Sequence, residues 1–318
     1  NFKEGNIKTN AKNSSFDYLA MQFRLWKRMG MAVGFLPFST VGYSLSNTSE
    51  LTKDEDGTVI NKTASYAGDG GLQQVFAGVG FKVLDNLSIG ANISYIYGDI
   101  THSVTTAFSN SSSFSSVRLD KISINDYKLD FGLQYSYKFN KKHVLNFGAV
   151  YSLGHSVNGK GYKYNQKWLN GADYPSTQTG DTITNAFSLP HTFGAGLTYV
   201  YDNRLTIGAD FTYQQWEDAK FYNEKSYFSN RTKIAAGAEF VPNPYSRNYL
   251  KRVRYRVGGY YSDPYTKVDG QDGTREYGVS AGLSLPIMNR NNKYNSALVH
   301  ISGEYIHMSP KNAGLIAE

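Results

Sequence analysis

Apolar and polar residues alternate one by one over long stretches of the chain, and this pattern limits the fold more than any other feature. From Tyr127 to Phe139 the odd positions are Tyr, Leu or Phe, whereas the even positions are Lys, Asp, Gly, Gln or Ser. Successive side chains of a β-strand point to opposite sides, so one face is apolar and the other polar. The same alternation recurs at 87–97, 205–213, 253–261 and 277–285. The chain is therefore predicted to be all-β.

Three features distinguish a membrane barrel from a soluble antiparallel sheet, which also alternates. The stretches 121–139 and 187–201 are longer than the roughly 5–6 residues of ordinary strands and suit tilted strands that cross a bilayer. Their second face carries glycine, serine, amides and charges, as expected of a wet lumen. Tyrosines cluster near strand ends, where aromatic girdles lie. The predicted fold class is a transmembrane antiparallel up-and-down β-barrel.

Composition excludes several other classes of protein. The 318 residues include 31 glycines and 15% aromatic residues but no cysteine. A disulfide scaffold, a cysteine-ligated metal site and a thiol nucleophile are thus excluded. No stretch approaches 18 consecutive apolar residues, so a transmembrane helix is excluded as well. A membrane barrel remains, because alternation hides its hydrophobicity.

The connections between the predicted strands alternate between short and long. Short turns lie at 27–28, 85–86, 140–142 and 202–203, and long polar stretches lie at 47–65, 106–120, 157–182, 217–231 and 264–275. Outer-membrane barrels keep short turns in the periplasm and long loops outside the cell. The prediction is therefore a protein of the outer membrane of a Gram-negative bacterium. About twelve strands are predicted, near 16–26, 29–46, 66–84, 87–105, 121–139, 144–156, 183–201, 205–216, 232–241, 253–263, 276–286 and 296–308.

The parity of these strands predicts how the barrel closes. The first predicted strand descends into a periplasmic turn and the last one climbs away from such a turn. A closed barrel of one chain needs an even number of strands, because an open edge cannot face lipid. One strand at each end is expected to be missing, which makes fourteen. Residues 1–318 are thus interpreted as a single barrel domain.

Several strings in a fixed order resemble the FadL- and TodX-like outer-membrane transporter family, in a form similar to its Bacteroidota members. They are the strings at 68–71, 78–81, 87–90, 189–190, 205–216, 233–239, 255–261, 280–283 and 303–305. The resemblance implies a fourteen-stranded barrel with an N-terminal hatch, which this chain does not contain. It also implies passive uptake of long-chain fatty acids or similar hydrophobic small molecules, with membrane lipid and a fatty acid or detergent molecule as partners.

The resemblance further implies an inward kink in the third strand that gives ligands a sideways exit into the bilayer. Pro37 lies in the predicted third strand, and Gly70 and Gly71 lie in the fourth. Proline removes a ladder donor and paired glycines weaken a strand, so these three residues are the candidate kink positions. A bulge at the barrel rim explains them equally well.

Several charged residues fall on the lumen phase of the strands. In the structural interpretation they form ion pairs that hold the wall together. In the functional interpretation Arg254 or Arg256 binds the carboxylate of an amphipathic ligand. The ligand-binding candidates on neighbouring strands are Asp210, Glu239, Arg254 and Arg256, and the other lumen charges are Asp126, Lys128, Asp130, Arg252, Glu276 and Glu304.

Other chemistry finds little support in the residues. The six histidines are scattered, and the string Gly154-His155-Ser156 has no acid partner visible in the sequence, so an enzyme is not expected. The acidic turns at 54–57 and 269–273 lack the glutamate that closes a calcium loop, and neither a metal nor a cofactor is expected. Nucleic acid binding is rejected, because much of the positive charge lies in short turns and neither a basic helix nor a stacking platform appears. His191 falls on the lipid phase, which indicates either a bulged strand or a shielded face.

Two functions remain open. The first is an outer-membrane channel for passive uptake of hydrophobic small molecules. The second is a non-transporting, PorV-like barrel subunit of an outer-membrane secretion or assembly complex, which would bind protein partners. A wall covered by protein would accommodate His191 on the lipid phase.

Overall fold

The structure, a computed structural model, describes residues 2–4, 7–9, 18–53, 56–110, 113–169, 177–222, 225–268, 270–288 and 296–310. In these ranges no helix has the length and apolar character needed to cross a membrane. The strands, in chain order, are β1 (Phe2–Glu4), β2 (Ile7–Thr9), β3 (Leu19–Trp26), β4 (Met29–Lys53), β5 (Val59–Lys82), β6 (Leu87–Phe108), β7 (Phe114–Lys138), β8 (His143–Ser152), β9 (His155–Val157), β10 (Gly159–Leu169), β11 (Thr177–Thr184), β12 (Phe187–Leu189), β13 (Thr192–Tyr201), β14 (Leu205–Gln214), β15 (Arg231–Phe240), β16 (Arg254–Ser262), β17 (Lys267–Val268), β18 (Gln271–Asp272), β19 (Thr274–Met288) and β20 (Ser296–Pro310).

Twelve strands form one antiparallel meander, the wall. Their order is β3, β4, β5, β6, β7, β8, β13, β14, β15, β16, β19 and β20, and each pairs with its neighbour along the chain. Hairpin connections make every neighbouring pair antiparallel, which is the connectivity of an up-and-down barrel. The number of predicted strands in the wall is thus confirmed. Within the described ranges, β3 and β20 each have one neighbour in the wall.

The outward face of the wall is an apolar belt. Directly paired residues on this face include Ile93 with Leu129 and Ala238 with Val257. Ile93 is 57% exposed and Val257 is 63% exposed, so no second protein layer covers these side chains. Aromatic residues flank the belt at two levels, as the girdles of a membrane barrel do. One level comprises Tyr95, Tyr97, Tyr127, Tyr151, Phe193, Tyr213, Tyr261 and Tyr277, and the other comprises Trp26, Tyr135, Tyr137, Phe139, Tyr199, Tyr201, Phe240 and Tyr255.

Strands β4 to β7 continue well past the first girdle and, with β10 and β11, form what we call the projecting sheet. On β6 it begins after Tyr97 and extends to Phe108, roughly 35 Å at about 3.3 Å per residue. The prediction of long loops at 47–65, 106–120 and 157–182 is therefore wrong for much of these ranges. Serine and threonine pairs such as Ser46–Ser65 (3.1 Å) and Thr48–Thr63 (3.0 Å) join the strands. Because neither face contacts lipid, the apolar alternation disappears although the strands continue.

The strands predicted at 144–156 and 183–201 are each interrupted at the same level of the wall. β8 ends at Ser152 and β13 begins at Thr192, while the short strands β9 and β12 pair with each other. Pro190, which has no N–H to donate, lies in the gap. His191 fills the break, since its Nδ1 lies 2.8 Å from the Tyr151 hydroxyl and accepts the Gly154 N–H at 3.1 Å. Of the two explanations for His191, the structure supports the interrupted strand.

Candidate functional site

An acid and two arginines form a compact charged cluster on the bore side of β15 and β16. Glu239 Oε1 accepts a hydrogen bond from Arg254 Nη1 at 2.7 Å, and its Oε2 accepts one from Arg256 Nε at 2.6 Å. Glu239 pairs directly with Arg256 across the two strands. One carboxylate thus holds two guanidiniums, which leaves one positive charge in excess. Three of the four predicted ligand-binding candidates are brought together here.

The cluster continues onto the next two strands through His300. Nδ1 of His300 lies 2.7 Å from Ser284 Oγ and 3.3 Å from Arg256 Nη1. A guanidinium can only donate, so the imidazole nitrogen accepts. Ser284 is fully buried within the wall and cannot reach a molecule in the bore. The serine and histidine therefore position Arg256, and a nucleophilic role for Ser284 is not supported.

Asp210 does not belong to this cluster. It lies on β14 opposite Gly196 and Ala235, and among the described residues it forms no ion pair. An ion pair between Asp210 and the charges on the next strand, one interpretation of these candidates, is therefore not formed. The alternation of the sequence correctly placed Asp210 on the bore face. The strand register, however, pairs Thr206 with Glu239, so Asp210 lies four residues further along β14. Asp210 instead borders a hollow of about 600 Å³ on the inner wall, whose lining includes Gly132, Gly148 and Gly196.

The other acidic and basic residues of the bore make local pairs. Lys128 and Asp130, two residues apart on β7, form an ion pair. Asp126 accepts the backbone N–H of Asn158 at 2.6 Å and lies 3.5 Å from His155 Nε2. Asp130 also accepts a hydrogen bond from Ser152 Oγ of β8 at 2.5 Å. These contacts support the structural interpretation of the lumen charges at these positions, because each acid holds neighbouring segments of the wall together.

An apolar cluster lies on the inner side of β5, β6 and β7, where the wall meets the projecting sheet. Ile122 and Ile124 share the even phase of β7 with the polar bore residues Lys128 and Asp130. Side chains of β9, β12 and the connection after β14 pack on them. The members, all at most 7% exposed, are Leu72, Ile96, Ile122, Ile124, Val157, Leu189 and Tyr222. Sequence reasoning missed this cluster, although isoleucines on the polar phase of two strands were its visible signal.

Aromatic residues from three connections gather next to this apolar cluster, at the end of the wall that carries the long connections. Trp216 lies 5.2 Å from Phe228 and 5.0 Å from Tyr265, measured between ring centroids. Phe187 and Phe221 link these rings to the apolar cluster. This aromatic group, defined as Phe187, Trp216, Phe221, Tyr227, Phe228 and Tyr265, offers apolar contact to a hydrophobic molecule entering from that end.

Tyr222 connects the aromatic group to the apolar cluster. Its backbone has φ 49°, an uncommon conformation for a residue with a side chain. Its backbone N–H donates to the Ala186 carbonyl at 2.6 Å, and its ring covers Gly161, where a Cβ would overlap it. Burial raises the pKa of the Tyr222 hydroxyl above its usual range. The hydroxyl of Tyr222 therefore stays neutral, and its ring packs against Phe221 and the apolar cluster.

All three predicted kink positions lie at one level of the wall. The pairing of β4 with β5 shifts between Pro37 and Ser39, which makes a β-bulge in the middle of β4. Phe38, the extra residue, packs against the apolar cluster. Gly70 and Gly71 pair with Val41 and Thr40 just above the bulge, so the strands remain joined on both sides of it. Sideways release at this point stays a prediction.

Gly98, which lies on β6, extends the same irregularity to the strand next to β5. Its φ is 142°, and Gly70 has φ 103°, values that favour glycine. A Cβ at Gly98 would overlap the carbonyl oxygen of Gly71, and one at Gly70 would overlap that of Asp99. A Cβ at Gly71 would likewise overlap the carbonyl oxygen of Ser39 on β4. The strands β4, β5 and β6 therefore approach one another too closely for side chains. Gly98 was not predicted, because a single glycine in an alternating strand carries no distinct signal.

In the part of the chain that the structure describes, no group of three His, Asp or Glu side chains converges to hold a metal ion. Three features therefore make up the candidate site: the aromatic group, the apolar cluster and the charged cluster. The aromatic group leads to the apolar cluster, and the charged cluster of Glu239, Arg254 and Arg256 lies near the opposite end of the wall.

Comparison with known proteins gives a match along the whole chain. The family model described as BamG matches residues 1–318. No curated protein sequence matches. Among solved structures, a Pseudomonas aeruginosa FadL homologue has 14% sequence identity and a TM-score of 0.53, covering 92% of this chain and 70% of that one. The CymD monoaromatic hydrocarbon channel has 11% identity and a TM-score of 0.56, covering 92% and 77%. These likenesses confirm the predicted barrel fold class.

Proposed function

Because the chain belongs to the BamG family and shares the fold of channels, we propose that it is an outer-membrane barrel that admits hydrophobic small molecules by diffusion. The observation that carries this proposal is the continuity of the aromatic group with the apolar cluster inside the bore. A ligand leaving the aromatic rings meets further apolar side chains, whereas an ion would lose its hydration there. Hydrophobic constrictions of this kind exclude water and ions.

The apolar belt and its two girdles support the membrane location. An outward face of this composition is stable against hydrocarbon and would be costly in water. In this proposal the long connections face the outside of the cell and the short turns face the periplasm, as in other outer-membrane barrels. The proposal requires the wall to be closed in the membrane, because unpaired backbone groups in lipid cost several kcal/mol each.

The charged cluster suggests the chemical class of the ligand. Arg254 and Arg256 share one carboxylate, and both guanidiniums remain partly exposed. Their surplus positive charge suits an amphipathic molecule with a carboxylate head, such as a long-chain fatty acid. The bulge at Pro37 and the close strands at Gly70 and Gly71 offer a place for sideways release into the bilayer, since the regular ladder is already weakened there.

Uptake of labelled oleate by whole cells tests the proposal. A deletion strain is compared with the same strain carrying the wild-type gene or the Leu189→Glu variant, which puts a charge into the apolar cluster. We expect the wild-type gene to restore uptake and the variant to fail while its barrel still folds. Equal uptake by the deletion and wild-type strains would contradict the proposal.

A second function, as a barrel subunit that binds protein partners, is favoured by the projecting sheet. Of the wall strands, only β4, β5, β6 and β7 continue into this sheet, whereas β13 to β16 end near the girdle. The sheet therefore stands on one side of the barrel mouth. A one-sided wall of hydrogen-bonded strands is a rigid platform for a protein. Purification in a gentle detergent followed by mass spectrometry separates the two functions. A stoichiometric partner protein supports the subunit, and an acyl chain in a solitary barrel supports the transporter.

A further inference from the structure

The connection between β15 and β16 differs from the other short turns. Its residues 242–253 include three basic side chains and no acidic one. Internal hydrogen bonds fix its shape, among them Asn243 N–H to the Lys251 carbonyl at 2.8 Å and Leu250 N–H to Asn248 Oδ1 at 3.0 Å. It is anchored by the buried residues Val241 and Val253. We call residues 242–253 the foot.

The foot presents large apolar groups to its surroundings. Tyr245 is 93% exposed and Leu250 is 65% exposed, and Tyr249 is also exposed. Large apolar groups exposed together on a folded connection are unfavourable in water and mark an interaction site. The neighbouring cations Arg247 and Lys251 are exposed as well. The foot therefore carries apolar and basic groups side by side.

The position of the foot is set by Tyr255. This tyrosine faces outward, since it pairs with Phe240 and Leu283 on the apolar face of the wall. Its hydroxyl donates to the Leu250 carbonyl at 3.1 Å. Leu250 thus lies beside the outward face rather than over the bore, and the exposed apolar groups of the foot continue the apolar belt.

Two cations of the foot, Arg247 and Lys251, differ from the basic residues of other turns at this end, which have acidic neighbours. Asp85 lies 3.6 Å from both Arg28 and Lys82, and Asp202 lies 3.6 Å from Arg204. Among the residues that the structure describes, Arg247 and Lys251 form no ion pair. A ligand with negative charge would complement them.

From these observations we propose that the foot is a membrane-surface anchor that binds the phosphate groups of anionic phospholipids. Leu250 and Tyr249 occupy the boundary of the acyl chains, and Arg247 and Lys251 reach the phosphates. Apolar residues next to basic ones are what binding to an anionic membrane surface requires. An acidic segment of a protein fits less well, because it would have to displace lipid along the outward face. The inference rests on the membrane location proposed above.

The absence of cysteine allows a direct test by site-specific labelling. Leu250→Cys carries a polarity-sensitive fluorophore, and Asp56→Cys, at the tip of the β4–β5 hairpin, carries the same group as a control. Both proteins are refolded into phosphatidylcholine vesicles containing either spin-labelled phosphatidylglycerol or spin-labelled phosphatidylcholine. We expect a blue-shifted Leu250 label that spin-labelled phosphatidylglycerol quenches preferentially, and an Asp56 label with aqueous emission.

Removing the two cations tests the role of charge. In the Leu250→Cys background, Arg247→Gln with Lys251→Gln should reduce the preference for phosphatidylglycerol by about 25-fold, at roughly fivefold per basic residue. The matched control is Lys141→Gln with Lys142→Gln in the turn between β7 and β8, which should leave the preference unchanged. An aqueous Leu250 label in both kinds of vesicle, or equal effects of the two double variants, would overturn the proposal.

Protease protection of the inserted barrel is measured in the same samples. A barrel that inserts normally with an aqueous Leu250 label contradicts the anchor alone. A barrel that fails to insert in any of these variants, including the wild-type sequence, contradicts the proposed membrane function itself. The two failures are therefore distinguishable.

Discussion

The carboxylate of Glu239 lies 2.6 Å from Nε of Arg256, its direct partner on the neighbouring strand. The same carboxylate also binds Arg254, two residues earlier on that strand. Without the acid, two guanidiniums on one face of a strand would repel each other. The pair thus stabilises the wall and keeps a positive charge available in the bore, so the structural and functional interpretations of these residues are compatible.

Replacing the acid should destabilise the barrel measurably. We expect Glu239→Gln to lower the free energy of unfolding by about 1–2 kcal/mol, because two charge-assisted hydrogen bonds are weakened at a partly exposed site. Urea unfolding in lipid vesicles measures the change. Asp210→Asn is the control, since Asp210 has no ion pair in the described part of the chain, and it should change stability little. If both variants lost the same free energy of unfolding, the loss in Glu239→Gln could not be assigned to its ion pairs.

Arg256 should discriminate between charged and uncharged ligands. Arg256→Gln is expected to weaken binding of laurate by roughly tenfold, the size of one charged hydrogen bond, and to leave dodecanol binding unchanged. Calorimetry on the purified barrel measures both ligands. Lys233→Gln, which removes another bore cation, serves as the control and should affect neither. Parallel losses for laurate and dodecanol would assign Arg256 a purely structural role.

The glycines of the wall should respond differently to alanine. Gly98→Ala places a Cβ against the Gly71 carbonyl at a φ of 142°, and we expect a loss of about 1–3 kcal/mol. Gly148→Ala meets no atom within 4 Å and should be neutral or stabilise the strand by about 0.5–1 kcal/mol. Unfolding midpoints in the same detergent compare the two variants. A tolerated Gly98→Ala would mean that the strands do not approach closely there.

The apolar cluster should both stabilise the barrel and block ions. Ile122→Ala removes a side chain that is 2% exposed and should cost about 2–5 kcal/mol. It should also raise the ion conductance of the barrel in planar bilayers, because the constriction widens. Ile301→Ala, on the outward face and 59% exposed, is the matched control and should change conductance little. Unchanged conductance in Ile122→Ala would place the constriction elsewhere.

The alternation of apolar residues made the wall predictable because lipid on one side and water on the other impose a period of two. Where that contrast is absent, prediction failed. Residues such as Ser46 and Ser65 lie in paired strands, but with polar groups on both faces they resemble a loop. The break near Pro190 was visible only as the misplaced His191, because the short strands on either side keep an extended backbone.

The charged cluster was predictable only in part. Phase placed Glu239, Arg254 and Arg256 on one face, but phase says nothing of register, and register separates Asp210 from them. Ser284 and His300 also belong to the cluster. They were not predicted, because no local sequence signal fixes the register of the strands β19 and β20. The apolar cluster was missed because the bore was expected to be polar throughout.

The central claim is that the odd positions of strands such as β14 face lipid and the even positions face the bore. Single cysteines at 205–213 in the otherwise cysteine-free chain, probed in vesicles with a charged maleimide, test it directly. We predict reaction at Thr206, Gly208, Asp210 and Thr212 and protection at Ile207, Ala209 and Phe211. Uniform reactivity, or reaction at the odd positions instead, would contradict the barrel and the pathway through it.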